Sequence, residues 1–374
     1  MRILVTGADG FLGKNLIAQL KNEGFSNVQK YTLKHSLEDL EEFTKECDFV
    51  YHLAGVNRPK NEVEFYEGNT NLTEQLITFL EKNEKYIPVL VSSSVQAEYD
   101  NAYGDSKKKG ENIIFNYGKN NNVEVMVYRL QNLFGKWSKP NYNSVVATFC
   151  YNISRGIPIK INDESSQMTL CYIDDVIKEF INALKNQPTK EGKYCRVPNE
   201  YKMTVGELAQ KIKLLNENRE TLVMPSLQKQ FDRDLYATYL SYLDEENFSY
   251  KLKKNVDNRG WLAEFIKSKD NGQIFISTTK QGITRGNHWH HTKVEKFLVI
   301  QGTAMIKFRN INDTNVIEYQ VNGKDLEVVD IPPGYTHSIT NIEEEELITL
   351  FWACEIFDQG NPDTYYVEVE NEEA

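Results

Sequence analysis

MRILVTGADGFLGKNLIAQL, residues 1–20, decides how the first two thirds of this chain are read. Met1–Val5 is an apolar run of strand length, and Lys14–Leu20 has the apolar spacing of a helix. Between them stand Gly7, Gly10 and Gly13, in a T-G-x-x-G-x-x-G arrangement that begins at Thr6. A strand that turns sharply into a helix leaves backbone N–H groups free at the helix N-terminus, where they and the helix dipole favour a phosphate. Glycines permit the tight turn, the close approach of a pyrophosphate and the packing of helix on strand. The first two glycines are one residue farther apart than in the general dinucleotide fingerprint. The stretch predicts a dinucleotide site formed by Thr6, Gly7, Gly10, Phe11, Leu12 and Gly13.

Composition limits what such a site can serve. The chain has 374 residues, enough for two domains, with 40% apolar and 26% charged residues as in a soluble globular protein. A net charge of −11 argues against a nucleic acid partner. Small phosphorylated ligands stay open, since local N–H groups and single cations can hold them. Cys47, Cys150, Cys171, Cys195 and Cys354 show no C-x-x-C spacing and read as reduced, packed thiols. With no signal peptide ahead of the first strand, and no apolar run near the ~20 residues of a membrane span, the expectation is a cytoplasmic protein without membrane insertion.

Residues 1 to about 135 alternate strand and helix signals, the pattern of a parallel sheet covered by helices. Val28–Leu33 reads as the second strand, Phe49–Leu53 as the third, and Val89–Val91 as the fourth, ending in Ser92-Ser93-Ser94. An NAD site usually places an acid near the end of the second strand; here Tyr31-Thr32-Leu33-Lys34-His35 offers a cation instead. Lys34 beside a 2′-phosphate would select NADPH. After Ser94 comes Tyr103-Gly104-Asp105-Ser106-Lys107, and on a helix Tyr103 and Lys107 share a face. A phenol is a poor acid at neutral pH until an ammonium stabilises its phenolate, and a serine hydroxyl can hold a carbonyl oxygen. Ser94, Tyr103 and Lys107 are therefore the candidate catalytic residues for carbonyl reduction.

With these features in this order, the first ~240 residues resemble the nucleotide-sugar branch of the extended short-chain dehydrogenase/reductases. His52-Leu53-Ala54-Gly55 and Arg129-Leu130-Gln131-Asn132-Leu133-Phe134-Gly135 carry the resemblance further. It implies that Leu53, Ala54, Gly55, Tyr103 and Lys107 also touch the cofactor, and that Asn132 touches the sugar. Cys171-Tyr172-Ile173-Asp174-Asp175-Val176 resembles the V-D-D segment of the family, read here as a helix N-terminal charge pair. An arginine often precedes that segment to grip the nucleotide diphosphate, but this chain has Met168-Thr169. Lys139 and Arg155 are the two substitutes.

Residues 203–243 read as helical from Leu208, Ile212 and Leu215, and Asp244-Glu245-Glu246-Asn247 as a hinge. Beyond it come short alternating strands with glycine, asparagine and proline turns, as in an all-β barrel or sandwich. The expected fold is thus an α/β doubly wound Rossmann-like domain over 1–245 followed by an all-β domain over 246–374.

The β region carries Gly282, His288-Trp289-His290, Glu295 and Gly302, then Pro332-Pro333-Gly334-Tyr335-Thr336-His337 and Asn341. Strand alternation puts His288 and His290 on one face, where Glu295 and His337 could complete a divalent-metal site. The first cluster matches the leading motif of the cupin superfamily, G-x5-H-x-H-x4-E-x6-G, at every spacing. The second lacks its leading glycine at the expected distance. Three nitrogens and one oxygen suit Zn²⁺. Asp257-Asn258-Arg259-Gly260-Trp261-Leu262-Ala263-Glu264 resembles the D-x-R-G-x-F-x-E segment of cupin-fold keto-sugar epimerases, so Arg259 either approaches a UDP group or pairs with Glu264.

The two motif sets in one chain resemble the bifunctional enzymes of capsular polysaccharide biosynthesis that join such a reductase to a cupin, essentially end to end. That resemblance implies a UDP-linked 4-keto-6-deoxy amino sugar as substrate, C3 epimerisation in the cupin, NADPH-dependent reduction of the C4 ketone, and a homodimer. His291, Lys296 and Tyr335 are the candidate bases beside the metal. The alternative is a reductase whose cupin is a metal-stapled binding or dimerisation module. A reductase-like regulator would require Tyr103 and Lys107 to have degenerated, and both are intact.

Overall fold

The computed structural model describes residues 1–370. Its strands in chain order are β1 Ile3–Thr6, β2 Val28–Tyr31, β3 Phe49–His52, β4 Val89–Ser94, β5 Val125–Leu130, β6 Asn132–Phe134, β7 Gln167–Tyr172, β8 Lys190–Glu191, β9 Tyr194–Cys195, β10 Tyr201–Thr204 and β11 Val223–Met224. Then follow β12 Lys254–Asp257, β13 Gly260–Ser268, β14 Gly272–Thr279, β15 Thr284–Trp289, β16 Glu295–Gln301, β17 Thr303–Asn310, β18 Val316–Asn322, β19 Val328–Ile331, β20 Tyr335–Asn341, β21 Leu347–Ala353 and β22 Tyr365–Tyr366.

Met1–Lys213 and Gln230–Asp244 form one compact unit; Leu214–Lys229 and Glu245–Ala374 form the other. The first is built on a sheet of order β2-β1-β3-β4-β5-β9-β8, parallel from β2 through β9. Each central strand is a short apolar run because helices cover both faces. Ile3 and Val5 point into the layer closed by helices Phe11–Asn22 and Ile173–Leu184, through Leu16, Leu20, Ile177 and Phe180. Leu4 points the other way, against Leu40, Leu76, Leu80 and Ile114. This is the doubly wound fold expected from the first twenty residues.

Local boundaries differ from the sequence reading in ways the backbone accounts for. The first helix begins at Phe11, before Lys14, because Gly10 is extended and its carbonyl takes the first helical bond from Lys14. Strand β2 stops at Tyr31, where Thr32–His35 turns back on itself and leaves Leu33 fully exposed. Strand β4 runs on through Ser94. The single helical stretch expected over 203–243 is broken: helix Val205–Thr221 ends at Leu222 with φ of 61°, β11 follows, and a second helix covers Gln230–Leu240. Val223 and Met224 pair in parallel with Lys267 and Ser268 of β13, which is why residues 214–229 belong with the second unit.

In the second unit, β11-β13-β14-β21-β16-β19, with β12 beside β13, faces a sheet of order β18-β17-β20-β15-β22. Phe275, Phe297, Val299 and Phe351 from one sheet meet Ile306, Phe308 and Ile339 from the other. Two such sheets closing on an apolar interior are the all-β cupin-type architecture anticipated above. The five cysteines are unpaired, and all but Cys354 are buried. Among the described residues, no helix is long and apolar enough to cross a membrane.

Candidate functional site

The first site lies at the C-terminal ends of β1, β3 and β4. Thr6 closes β1, and its hydroxyl lies 2.8 Å from His52 Nδ1 and accepts from Ala54 N–H at 3.2 Å. The glycine turn is thereby tied to the Leu53-Ala54-Gly55 segment. Gly7 has φ of 68°, and a Cβ there would stand 2.7 Å from Ala54 N. No acidic residue occupies the first turn of helix Phe11–Asn22, so its N-terminus keeps its positive character. Phe11 and Leu12 pack on the core, and Gly10 and Gly13 complete the cradle. Burial pushes the His52 imidazole down to about 3, so it is a neutral bridge between Thr6 and Thr73. Lys34 is exposed in the turn after β2, and the acids that follow it, Glu38 and Asp39, fall in the first turn of the next helix, where Asp39 completes a capping box with Ser36.

Tyr103 and Lys107 share a face of helix Ala102–Asn121, which Asn101 caps by accepting from Gly104 N–H. Burial raises the Tyr103 phenol, and a hydrogen bond with the Ser94 side chain opposes that rise. Lys107 donates to the Ser92 carbonyl at 3.2 Å, and burial lowers its ammonium to about 8 against the pull of Glu111. A Cβ on Gly55 would sit 2.9 Å from Lys107 Nζ, so only glycine lets the ammonium end rest there. The structure thus brings Ser94, Tyr103 and Lys107 together beside the glycine turn. The arrangement can hold a carbonyl oxygen and give it a proton.

Asn132 is exposed at the start of β6 and donates to the Thr169 carbonyl. Asp174 and Asp175 fall in the first turn of helix Ile173–Leu184, as expected of a charge pair at a helix N-terminus. Of the two substitute cations, Arg155 is engaged: it donates to the Tyr151 and Tyr242 carbonyls and stacks on the Tyr151 ring. Lys139 is exposed over Tyr142. Sequence reading missed Glu111, which lies one helical turn beyond Lys107 and binds Ser93, Arg129 and Tyr194. The i+4 spacing from Lys107 was the available signal.

The second site is in the β unit. Register pairs His288 of β15 with His337 of β20, with a bulge at Asn287 just before His288; His290 follows one residue after the strand ends. Ligand atoms of His288, His290, Glu295 and His337 all lie within 4.8 Å of one another. Glu295 Oε2 is 3.2 Å from His290 Nε2 and 3.6 Å from His337 Nε2. Burial raises the Glu295 carboxyl, but the His290 hydrogen bond and the nearby His337 ring outweigh it and hold it well below the usual range. Burial lowers the His288 imidazole to about 4, leaving it neutral and able to ligate. His337 Nε2 is buried without a hydrogen-bond partner, the condition an ion would relieve. The residues fit a divalent metal.

Of the candidate bases, Lys296 points away from Glu295 and pairs with Asp330. His291 packs its ring on Trp289 and Tyr365, while Tyr335 shares the face of His337. Arg259 does not pair with Glu264, which Lys267 takes. Its guanidinium is held by Asp257 at 2.6 Å.

Residues 3–195 match the NAD dependent epimerase/dehydratase family, and residues 255–365 match the polysaccharide biosynthesis C-terminal domain. The chain belongs to the NAD dependent epimerase/dehydratase family. This epimerase/dehydratase chain is 44% identical to the UDP-2-acetamido-2,6-beta-L-arabino-hexul-4-ose reductase of Pseudomonas aeruginosa over 99% of each chain. The capsular polysaccharide assembling protein CapF from Staphylococcus aureus superposes with a TM-score of 0.93 at 47% identity, covering 99% of this chain and 100% of that one. CapF with the inhibitor 3-isopropenyl-tropolone gives 0.89 at 42% identity, with the same coverage. The resemblance to CapF therefore runs end to end.

Proposed function

We propose that this chain is a bifunctional nucleotide-sugar enzyme of capsular polysaccharide (UDP-N-acetyl-L-fucosamine) biosynthesis. The β unit inverts C3 of a UDP-2-acetamido-2,6-dideoxy-4-keto hexose. The Rossmann-like unit then reduces the C4 ketone, giving UDP-2-acetamido-2,6-dideoxy-L-talose. The observation that carries the reduction is the Ser94–Tyr103–Lys107 cluster beside the glycine turn. Gly7, Gly10 and Gly13 would hold NADPH, with Lys34 as the cation for its 2′-phosphate, and the cofactor would supply the hydride. Ser94 holds the carbonyl oxygen and Tyr103 gives it a proton, while Lys107, an ammonium at neutral pH, stabilises the phenolate left behind. The P. aeruginosa relative, by its name a reductase of a hexul-4-ose, supports the same substrate class, with Asn132 and Arg259 as substrate contacts.

Epimerisation comes first because only the ketone acidifies the C3 proton. One divalent ion, Zn²⁺ by its donor set, would supply charge stabilisation beside the pocket. The reading includes a homodimer in the cytoplasm, where four of the five thiols would stay buried and reduced. The test is to supply UDP-4-keto-6-deoxy-HexNAc and NADPH and identify the product by mass and NMR. A product reduced at C4 but unchanged at C3 would overturn the epimerase half. One observation favours a second reading, in which the metal is structural. All four ligands belong to the protein, and three are buried, as in a closed structural site.

A further inference from the structure

The stretch from Pro362 to Glu370 is folded along β15, which carries His288 and leads directly into His290. Tyr365 and Tyr366 pair antiparallel with Trp289 and His288. Val367 N–H donates to the Asn287 carbonyl at 3.0 Å, and the Thr336 hydroxyl donates to the Val367 carbonyl. Arg309 fixes the next turn of this strap by donating to the Glu368 and Val369 carbonyls at 2.7 and 2.8 Å.

Asp363, where the strap begins, acts twice on the metal centre. Its backbone carbonyl lies 2.7 Å from His290 Nδ1. A carbonyl only accepts, so Nδ1 carries a proton, which leaves Nε2, beside Glu295, as the nitrogen that would give its lone pair to a metal. Its carboxylate accepts from the backbone N–H groups of His291, Thr292 and Lys293 at 3.0, 2.9 and 3.0 Å. Those three residues form the turn that leads from His290 to Glu295. Lys293 closes the clasp from the other side, its Nζ donating to the Pro362 carbonyl and the Thr364 hydroxyl. Asp363 takes this position with φ of 38°, a conformation aspartate, asparagine and glycine reach most readily.

We propose that Asp363 is the positioning residue of the metal centre: its carboxylate clamps the turn between two ligands, which holds its own carbonyl against His290 Nδ1, and so governs metal retention. This rests on the reading of His288, His290, Glu295 and His337 as a metal site. No metal motif of the sequence includes Asp363, which touches the site only because the strap returns to β15.

The test uses the full chain. Parent protein is loaded with Zn²⁺, dialysed, and its metal content measured; release into excess chelator is then timed. Parallel samples carry Co²⁺, whose visible absorption reports ligand arrangement. Asp363→Gly removes the carboxylate while easing the backbone, and Asp363→Asn keeps one acceptor oxygen. The glycine variant should release metal at least ~10-fold faster, the scale of a lost ligand-orienting partner, with the asparagine variant between it and the parent. Both should shift the Co²⁺ bands. Lys307→Ala, which cuts the contact with Glu370 at the far end of the strap, should release like the parent. If Asp363→Gly does not fold, Asp363→Asn decides.

Parental release and parental Co²⁺ spectra in the folded Asp363 variants would overturn the proposal. So would equally fast release from Lys307→Ala, since strap closure alone would then set retention. A parent that retains no metal would remove the metal reading itself, and Asp363 with it, an outcome distinct from both.

Discussion

Arg129 Nη2 lies 2.6 Å from Glu111 Oε2, and the carboxylate is only 2% exposed. Ser93 and Tyr194 also donate to it, and the Arg129 guanidinium lies over the Tyr194 ring. A buried ion pair broken from one side leaves an uncompensated charge, costing about 3–5 kcal/mol. Glu111→Gln should therefore lower the urea midpoint of the first unit. It should also act on Lys107, whose ammonium Glu111 supports. At pH 7 Lys107 is below its pKa of about 8 and charged; as pH rises through that value the ammonium is lost. The parent kcat/KM for reduction should fall above pH about 8, and Glu111→Gln should move that fall to lower pH. A fall that stays in place would separate Glu111 from the chemistry.

Tyr103→Phe removes the proposed proton donor and leaves the ring packed near Phe65. Turnover with NADPH should drop at least ~100-fold, with cofactor binding, read by fluorescence titration, close to the parent. Wild-type turnover in this variant would mean that another group is the acid.

Lys34 stands where an NAD-selective chain would place a carboxylate. NADPH should give a higher kcat/KM than NADH, and Lys34→Ala should narrow the gap. Gly7→Ala, by contrast, should abolish binding of both cofactors, because its methyl group would meet the Ala54 backbone. Equal use of the two cofactors by the parent would sink the assignment of Lys34.

In the β unit, His337→Ala should release the metal and slow exchange of the substrate C3 hydrogen for deuterium, measured by NMR in D₂O without NADPH. Circular dichroism and thermal melts accompany the assay, since ligand free energy contributes to folding. Exchange at the parental rate in a folded, metal-free variant would leave the metal a structural role.

The glycine turn, the Tyr103/Lys107 face and the His288/His290 pair of the candidate metal cluster were legible because each depends on local spacing: a turn, one helical repeat, or alternation along an extended chain; His337 joins that cluster through the pairing of β15 with β20. Arg129 was read only as part of a motif, since its partner Glu111 sits on the helix across from β5. Asp363 carried no signal at all; its role arises from a strand pairing between distant segments. The helix over 205–221 was foreseen, but not its end, because Leu222 adopts a left-handed conformation that leucine seldom takes. Arg259 was placed in the right segment, and its partner was misread because Asp257 reaches it across a tight turn, ahead of Glu264.

The excursion of residues 214–229 into the second unit bears on how such proteins can be recombined. A swap of the β module between relatives at one junction near residue 245 would strand Val223 and Met224 on the wrong parent and leave the edge at Lys267 and Ser268 without its mate. Hybrid genes need three crossover points, near 213, 229 and 245, so that the short insert travels with the barrel. For this chain, the unit of inheritance is discontinuous.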